Sequence, residues 1–184
     1  LLALQHRGQE GAGIAAARDN ALCCRKGLGL VTEALSPQVM EEFPGAAQAI
    51  GHVRYSTTGA NTVGNVQPFV TEFLTGRIAT AHNGNVVNAR EIREKLTSFG
   101  LEFTATSDSE VVSSLIAYKV MRAKDFVTGV KEACRLLRGA FSLVVLSGDG
   151  RMVAVRDPNG FRPLCLGENG SGVAVASESC ALDS

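Results

Sequence analysis

Four residues of this sequence offer groups suited to converge on a small polar molecule: Arg54, Asn83, Gly84 and Asp108. Arg54 closes the apolar run "AIGHVR", and the fixed fork of a guanidinium matches a carboxylate through two parallel hydrogen bonds. Asp108 stands in the first turn of a helical pattern and could accept hydrogen bonds from an ammonium. Together the pair suits the two charged ends of a free amino acid. Asn83 supplies an amide donor and Gly84 an unobstructed backbone N–H, which is one way to build an oxyanion hole for acyl transfer. Each also has a plainer role. Asp108 could complement a helix dipole, Arg54 could form a surface ion pair, and Asn-Gly between apolar runs is the signature of a two-residue hairpin turn. Spacing alone leaves both sets open.

The elements that would carry these residues follow from periodicity. Glycine-rich punctuation separates short apolar runs, "GAGIAAAR" before Asp19-Asn20, "ALCCRKG" after it, then "AQAIGHVRYS" and "RIATAHNG", which read as strands covered on both faces. The middle is helical. "NAREIREKLTSFG" opens at Asn88 with Glu91 three residues on, places Ile92 and Leu96 on one face and closes at Gly100. "SDSEVVSSLIAYKVM" opens with Ser107 and Glu110 at capping-box spacing and runs Val111, Val112, Leu115, Ile116. "DFVTGVKEACRLLRG" repeats the pattern with Phe126, Val127, Val130, Cys134 and Leu137, ending at Gly139. Two hairpins follow, around Gly148-Asp149-Gly150 and Asn169-Gly170. Strands, helices, strands, without βαβ alternation, predict antiparallel sheets with a segregated helical layer, an α+β fold in one domain.

The totals exclude several classes. The 184 residues are 45% hydrophobic and 20% charged, an ordinary globular composition. Lys+Arg 18 balances Asp+Glu 18, so bulk charge argues for neither nucleic acid nor an anionic membrane as partner. No apolar stretch approaches the ~18 residues a membrane helix needs. Cys23, Cys24, Cys134, Cys165 and Cys180 are odd in number with no Cys-x-x-Cys pair, which reads as reduced thiols in the cytoplasm. His6, His52 and His82 lack zinc-ligand spacing, and His52 is expected to be a satisfied core or rim histidine.

Six segments then carry a resemblance. "LQHRGQEGAGI" (4 to 14), "GHVRYSTTG" (51 to 59), "AHNGN" (81 to 85), "TSDSE" (106 to 110), "RDPNGFRPL" (156 to 164) and "ASESCALD" (176 to 183) together resemble the glutaminase domain of glutamine phosphoribosylpyrophosphate amidotransferases, class II glutamine amidotransferases. The likeness runs nearly the whole chain, in order. The glutaminase domains of glucosamine-6-phosphate synthase, asparagine synthetase and glutamate synthase share the fold, but "LQHRGQEGAG" with "RDPNGFRPL" and "SESCALD" is similar to the purine enzyme. Another class II amidotransferase, or a glutamine-binding module without a nucleophile, are the alternatives.

The resemblance implies a four-layer αββα sandwich of the N-terminal-nucleophile hydrolase type. It implies that Arg54 binds the glutamine α-carboxylate, Asp108 the α-amino group, and Asn83 with Gly84 the oxyanion, the Asn-Gly being both turn and catalyst. It further places Tyr55, Thr57 and Thr58 along the glutamine pocket and Arg7 near the nucleophile. In the family the nucleophile is a cysteine that becomes the first residue of the mature protein, its α-amine serving as base. Here the first residue is Leu1, in a stretch that reads as the inside of a helix. Residues 1–184 are therefore expected to be an incomplete glutamine amidotransferase type 2 domain, inactive alone. The nucleophile is expected upstream, and a phosphoribosyltransferase domain using Mg²⁺ downstream. No cofactor is expected in this segment. Some members carry a [4Fe–4S] cluster, and the full protein is expected to be a cytoplasmic homo-oligomer.

Overall fold

Small side chains let β1, Gly11–Arg18, lie at the centre of the molecule with cover on both faces. In the computed structural model, which describes residues 1–55, 62–170 and 172–183, β1 pairs antiparallel with β2, Ala21–Leu28, and with β3, Gln48–Arg54. Asp19 and Asn20 make the β1–β2 turn with φ of +51° and +60°, the left-handed pair that a two-residue hairpin requires. Successive side chains of a strand face opposite ways. Ala12 and Ile14 accordingly meet Val31, Leu35 and Val53 on the outer side, where α1, Val31–Ala34, and α2, Pro37–Met40, form a thin layer. Leu1 and Leu4 pack there too, but Leu2–Arg7 is a 3-10 helix rather than the α-helix interior expected from "LLALQH".

The second sheet runs in the order β4, Phe69–Phe73; β5, Gly76–Val86; β6, Gly139–Ser147; β7, Met152–Arg156. Ala79 and Ala81 of β5 and Leu146 of β6 meet Ala15, Ala17 and Ile50 of the first sheet. On the other face Ile78, Val86, Phe141, Leu143 and Val145 take the apolar stripes of three helices: α3, Ala89–Ser98; α4, Asp108–Ala123; α5, Phe126–Cys134. The arrangement is the expected αββα sandwich. A hairpin of β8, Cys165–Asn169, and β9, Gly172–Ala176, lies apart as a two-stranded sheet.

The helices keep their stripes but not all their caps. Asn88 leaves the first turn of α3 uncapped. Its amide instead donates to the Leu136 carbonyl at 2.9 Å and accepts from the Arg138 N–H at 2.9 Å, tying α3 to the α5–β6 loop. Ser107 caps α4 through the Ser109 N–H, while Glu110 turns outward to Thr104 and Ala105. Val127 is 39% exposed, off the α5 stripe, and Gly139 opens β6 instead of closing α5. No helix among the described residues is long and apolar enough to cross a membrane.

Candidate active site

Three element ends converge on a cavity of about 420 Å³. β3 delivers Arg54 and then Tyr55, β5 delivers Asn83 and Gly84, α4 begins at Asp108, and Arg7 reaches in from the 3-10 helix; all six line the cavity. Thr57 and Thr58 lie outside the described residues.

Asn83-Gly84 is not a turn. The pair sits inside β5, with Asn83 opposite Ser142 and Gly84 opposite Phe141 of β6. An asparagine is tolerated there because its side chain shares the face of Ala79 and Ala81 at the end of the sandwich, where the inter-sheet core gives way to the cavity. Its Nδ2 is buried with no hydrogen-bond partner, a donor held ready. The glycine is required by close approach: a Cβ would stand 2.1 Å from the Ala140 carbonyl oxygen and 2.9 Å from His82 Nε2.

The two charged groups are anchored rather than loose. Arg54 is buried, and its Nη1 donates to the Asn65 carbonyl at 2.9 Å. Asp108 Oδ2 accepts from the Val86 N–H at 2.9 Å, so the helix start is fastened to the strand that carries Asn83 and Gly84. A carboxylate at the N-terminus of α4 also complements the helix dipole. Arg7 pairs with Glu178, as does His6 at 2.9 Å, and these bonds hold the Glu178 carboxyl below the usual carboxylate range.

His52 and His82 are neutral members of the wall. Burial pushes His52 down to about 4, with His82, Arg54 and Arg7 adding to the effect. Its Nε2 lies 3.4 Å from Gln67 Nε2 while Nδ1 has no hydrogen-bond partner, so it is not the satisfied histidine expected from sequence. β3 carries it to the end of the inter-sheet core, where it lines the cavity. Burial also lowers His82, against the pull of Asp108, and its Nδ1 lies 2.9 Å from Ser109 Oγ.

Sequence reasoning missed Asn65, Gln67, Ser109 and Arg162. The first two come from "NTVGNVQPF", which has no period to mark them, and Asn65 joins Thr106 beside α4 at 3.3 Å. Arg162 lines the cavity with a buried Nε lacking a partner, while its carbonyl accepts from Arg156 and Ser142. A half-buried arginine in "RDPNGFRPL" had no signal beyond its motif. None of the five cysteines, all free, lines the cavity.

The chain is an αββα sandwich with Arg54, Asp108, Asn83 and Gly84 gathered on one cavity, and residues 52–184 match the family model described as a glutamine amidotransferase domain. The chain belongs to that family. Among its relatives, amidophosphoribosyltransferase 3 of Arabidopsis thaliana, described as chloroplastic, is 50% identical over all of this chain and 34% of its own length. The amidophosphoribosyltransferase of Methanocaldococcus jannaschii is 44% identical over 99% of this chain and 38% of its own length. Glutamine phosphoribosylpyrophosphate amidotransferase from B. subtilis, solved with ADP and GMP, superposes with a TM-score of 0.86 at 40% identity, covering 98% of this chain and 38% of that one. The chain spans little more than a third of the relatives it matches.

Proposed function

We propose that this chain is the glutaminase part of an amidophosphoribosyltransferase, releasing ammonia from glutamine for the synthesis of 5-phosphoribosylamine from phosphoribosylpyrophosphate, the first step of purine synthesis. The observation that carries the reading is the joint presence of Arg54, Asp108 and the unpartnered Asn83 amide in one cavity. Arg54 takes the α-carboxylate and Asp108 the α-ammonium of glutamine. The side-chain carbonyl oxygen then lies toward Asn83 and the Gly84 N–H. Attack by a thiolate on the amide carbon moves charge onto that oxygen, where these donors meet it. The proton given up by the thiol passes to the amide nitrogen, collapse of the tetrahedral species expels ammonia, and water hydrolyses the resulting thioester to glutamate. Tyr55, Thr57 and Thr58 complete the pocket in this proposal, and Arg7 supports the nucleophile.

The nucleophile is assigned to a segment outside these 184 residues. A second cavity, of about 410 Å³, adjoins the first between Ala47–His52 along β3 and Val173–Ser177 along β9, and both cavities reach Leu1, His52 and Asn83. β3 is the edge of its sheet, so a strand carrying the cysteine could be received there. The phosphoribosyltransferase domain, its Mg²⁺, any iron–sulfur cluster and homo-oligomer contacts belong to the remainder of the protein, and no cofactor is assigned to this segment. A cytoplasmic location rests on the five free cysteines, although the Arabidopsis relative is described as chloroplastic.

The test is kinetic. The full-length protein, given glutamine, phosphoribosylpyrophosphate and Mg²⁺, should form phosphoribosylamine and glutamate in equal amounts. Glutamate without phosphoribosylamine would point to another class II amidotransferase. Glutamine binding with no hydrolysis would favour the module without a nucleophile.

A further inference from the structure

We infer that Gln67 is a positioning residue for the oxyanion strand: its side-chain amide takes the place of a neighbouring strand's backbone at His82, fixing Asn83 and Gly84 while leaving the Gly84 N–H open. The inference rests on the glutaminase reading and deepens it.

The register of the second sheet leads to it. The β4–β5 ladder ends with Phe69 opposite Thr80. Continued two residues, that antiparallel register sets Gln67 opposite His82, and two further it sets Asn65 opposite Gly84. The backbone does not continue. The paired strand stops at Phe69, and the Asn65 carbonyl, which would have met the Gly84 N–H, accepts from Arg54 instead. At the intermediate position the Gln67 side chain makes both bonds of a strand pair. Its Oε1 accepts from the His82 N–H at 2.7 Å, and its Nε2 donates to the His82 carbonyl at 3.0 Å.

Alternation along β5 then places the N–H groups of His82, Gly84 and Val86 on one edge. His82 is closed by Gln67 and Val86 by Asp108 Oδ2. Between these two clamps the Gly84 N–H faces the cavity with its ladder partner engaged elsewhere. An ordinary continuation of β4 would have consumed that donor. Gln67 is itself fixed, 6% exposed and donating to Ser109 Oγ at 3.1 Å. A buried amide serving only the hydrogen-bond needs of the core would affect stability and leave the turnover rate alone. A clamp on the oxyanion strand affects turnover, because a displacement near 1 Å at reacting groups costs about a hundredfold.

The experiment uses the full-length protein and glutamine as substrate, with Gln67→Leu, Asn83→Ala and the double variant compared for kcat and KM. Gln67→Leu should lower kcat at least tenfold with the glutamine KM within threefold, since Arg54 and Asp108 still hold the amino acid. In the Asn83→Ala background the same change should cost less than threefold, because the two act through one set of donors. Gln67→Glu keeps an acceptor for the His82 N–H, and is expected to fall between wild type and Gln67→Leu, which provides a reading if the leucine variant does not fold. Turnover of Gln67→Leu within twofold of wild type, a change in KM alone, or full multiplication of the two losses would overturn the assignment while leaving the glutaminase reading intact. A wild-type protein that neither binds nor hydrolyses glutamine would remove both.

Discussion

At the scale of single residues, the proposed function has the two ends of glutamine and its reacting carbonyl served by different side chains, which makes their roles separable. Asp108→Asn removes the charge facing the α-ammonium. Hydrogen bonds to charged groups contribute about 1.5–3 kcal/mol, so the glutamine KM should rise roughly ten- to a hundredfold. An unchanged KM in steady-state assays of the full-length protein would take Asp108 out of the site. Asn83→Ala removes a donor used chiefly as charge develops, and kcat should fall about 10²–10³-fold with little change in KM. Turnover within twofold would end the oxyanion assignment. That Arg54, Asp108, Asn83 and Gly84 would meet on one cavity was legible because their chemistry is distinctive and their motifs stand close to element ends. Gln67 and Asn65 were not, for a physical reason: their side chains bond to the backbone of His82 and Thr106, and any polar residue in an irregular segment looks equally able to do so.

At the scale of elements, hydrophobic period identified β1, β2, β3, β5 and the three long helices, and it failed where local chemistry was read without its tertiary partner. Asn-Gly has strong turn preference in isolation, yet β6 pairs along β5 from Ile78 to Val86 and carries the dipeptide straight through. The short α1, α2 and β4 carried too little period to register. The α4–α5 contact shows the same priority of packing over propensity. Gly129 of α5 has Val120 of α4 against it, and a Cβ would come 2.4 Å from the Val120 Cα. Alanine ordinarily favours a helix over glycine by about 0.8–1 kcal/mol. Here Gly129→Ala must push two helices apart, and overpacking of this kind costs about 1–3 kcal/mol. Chemical denaturation should therefore show a net loss of stability, and a gain would mean that the helices are less closely packed than described.

At the scale of the whole molecule, the buried neutral histidines link stability to pH. His52 titrates at about 4 in the folded chain against about 6.5 when unfolded. Between those values the unfolded chain binds the proton first, so its contribution is full above pH 6.5 and drains away as the pH falls toward 4. The slope approaches ~1.4 kcal/mol per pH unit for one such histidine, and His82 shifts in the same direction. Denaturation midpoints measured from pH 7.5 to 5 isolate this effect, since carboxylates held low, such as Asp149 at about 2, act only below their unfolded value near 4. A flat midpoint across that window would show that the rings take up protons freely. One contact described earlier also sets an order of events. Arg7 and Glu178 meet across 171 positions of chain beside the cavity, and the 3-10 turns Leu2–Arg7 and Ser179–Ala181 flank that clasp. On the ribosome, where chains grow at about 5–20 residues per second, both sheets and every helix from α1 to α5 are translated before Glu178 is. The clasp beside the cavity is thus the last of these contacts to become available, and a chain stalled just short of it carries every strand and long helix of the sandwich without the carboxylate that holds Arg7.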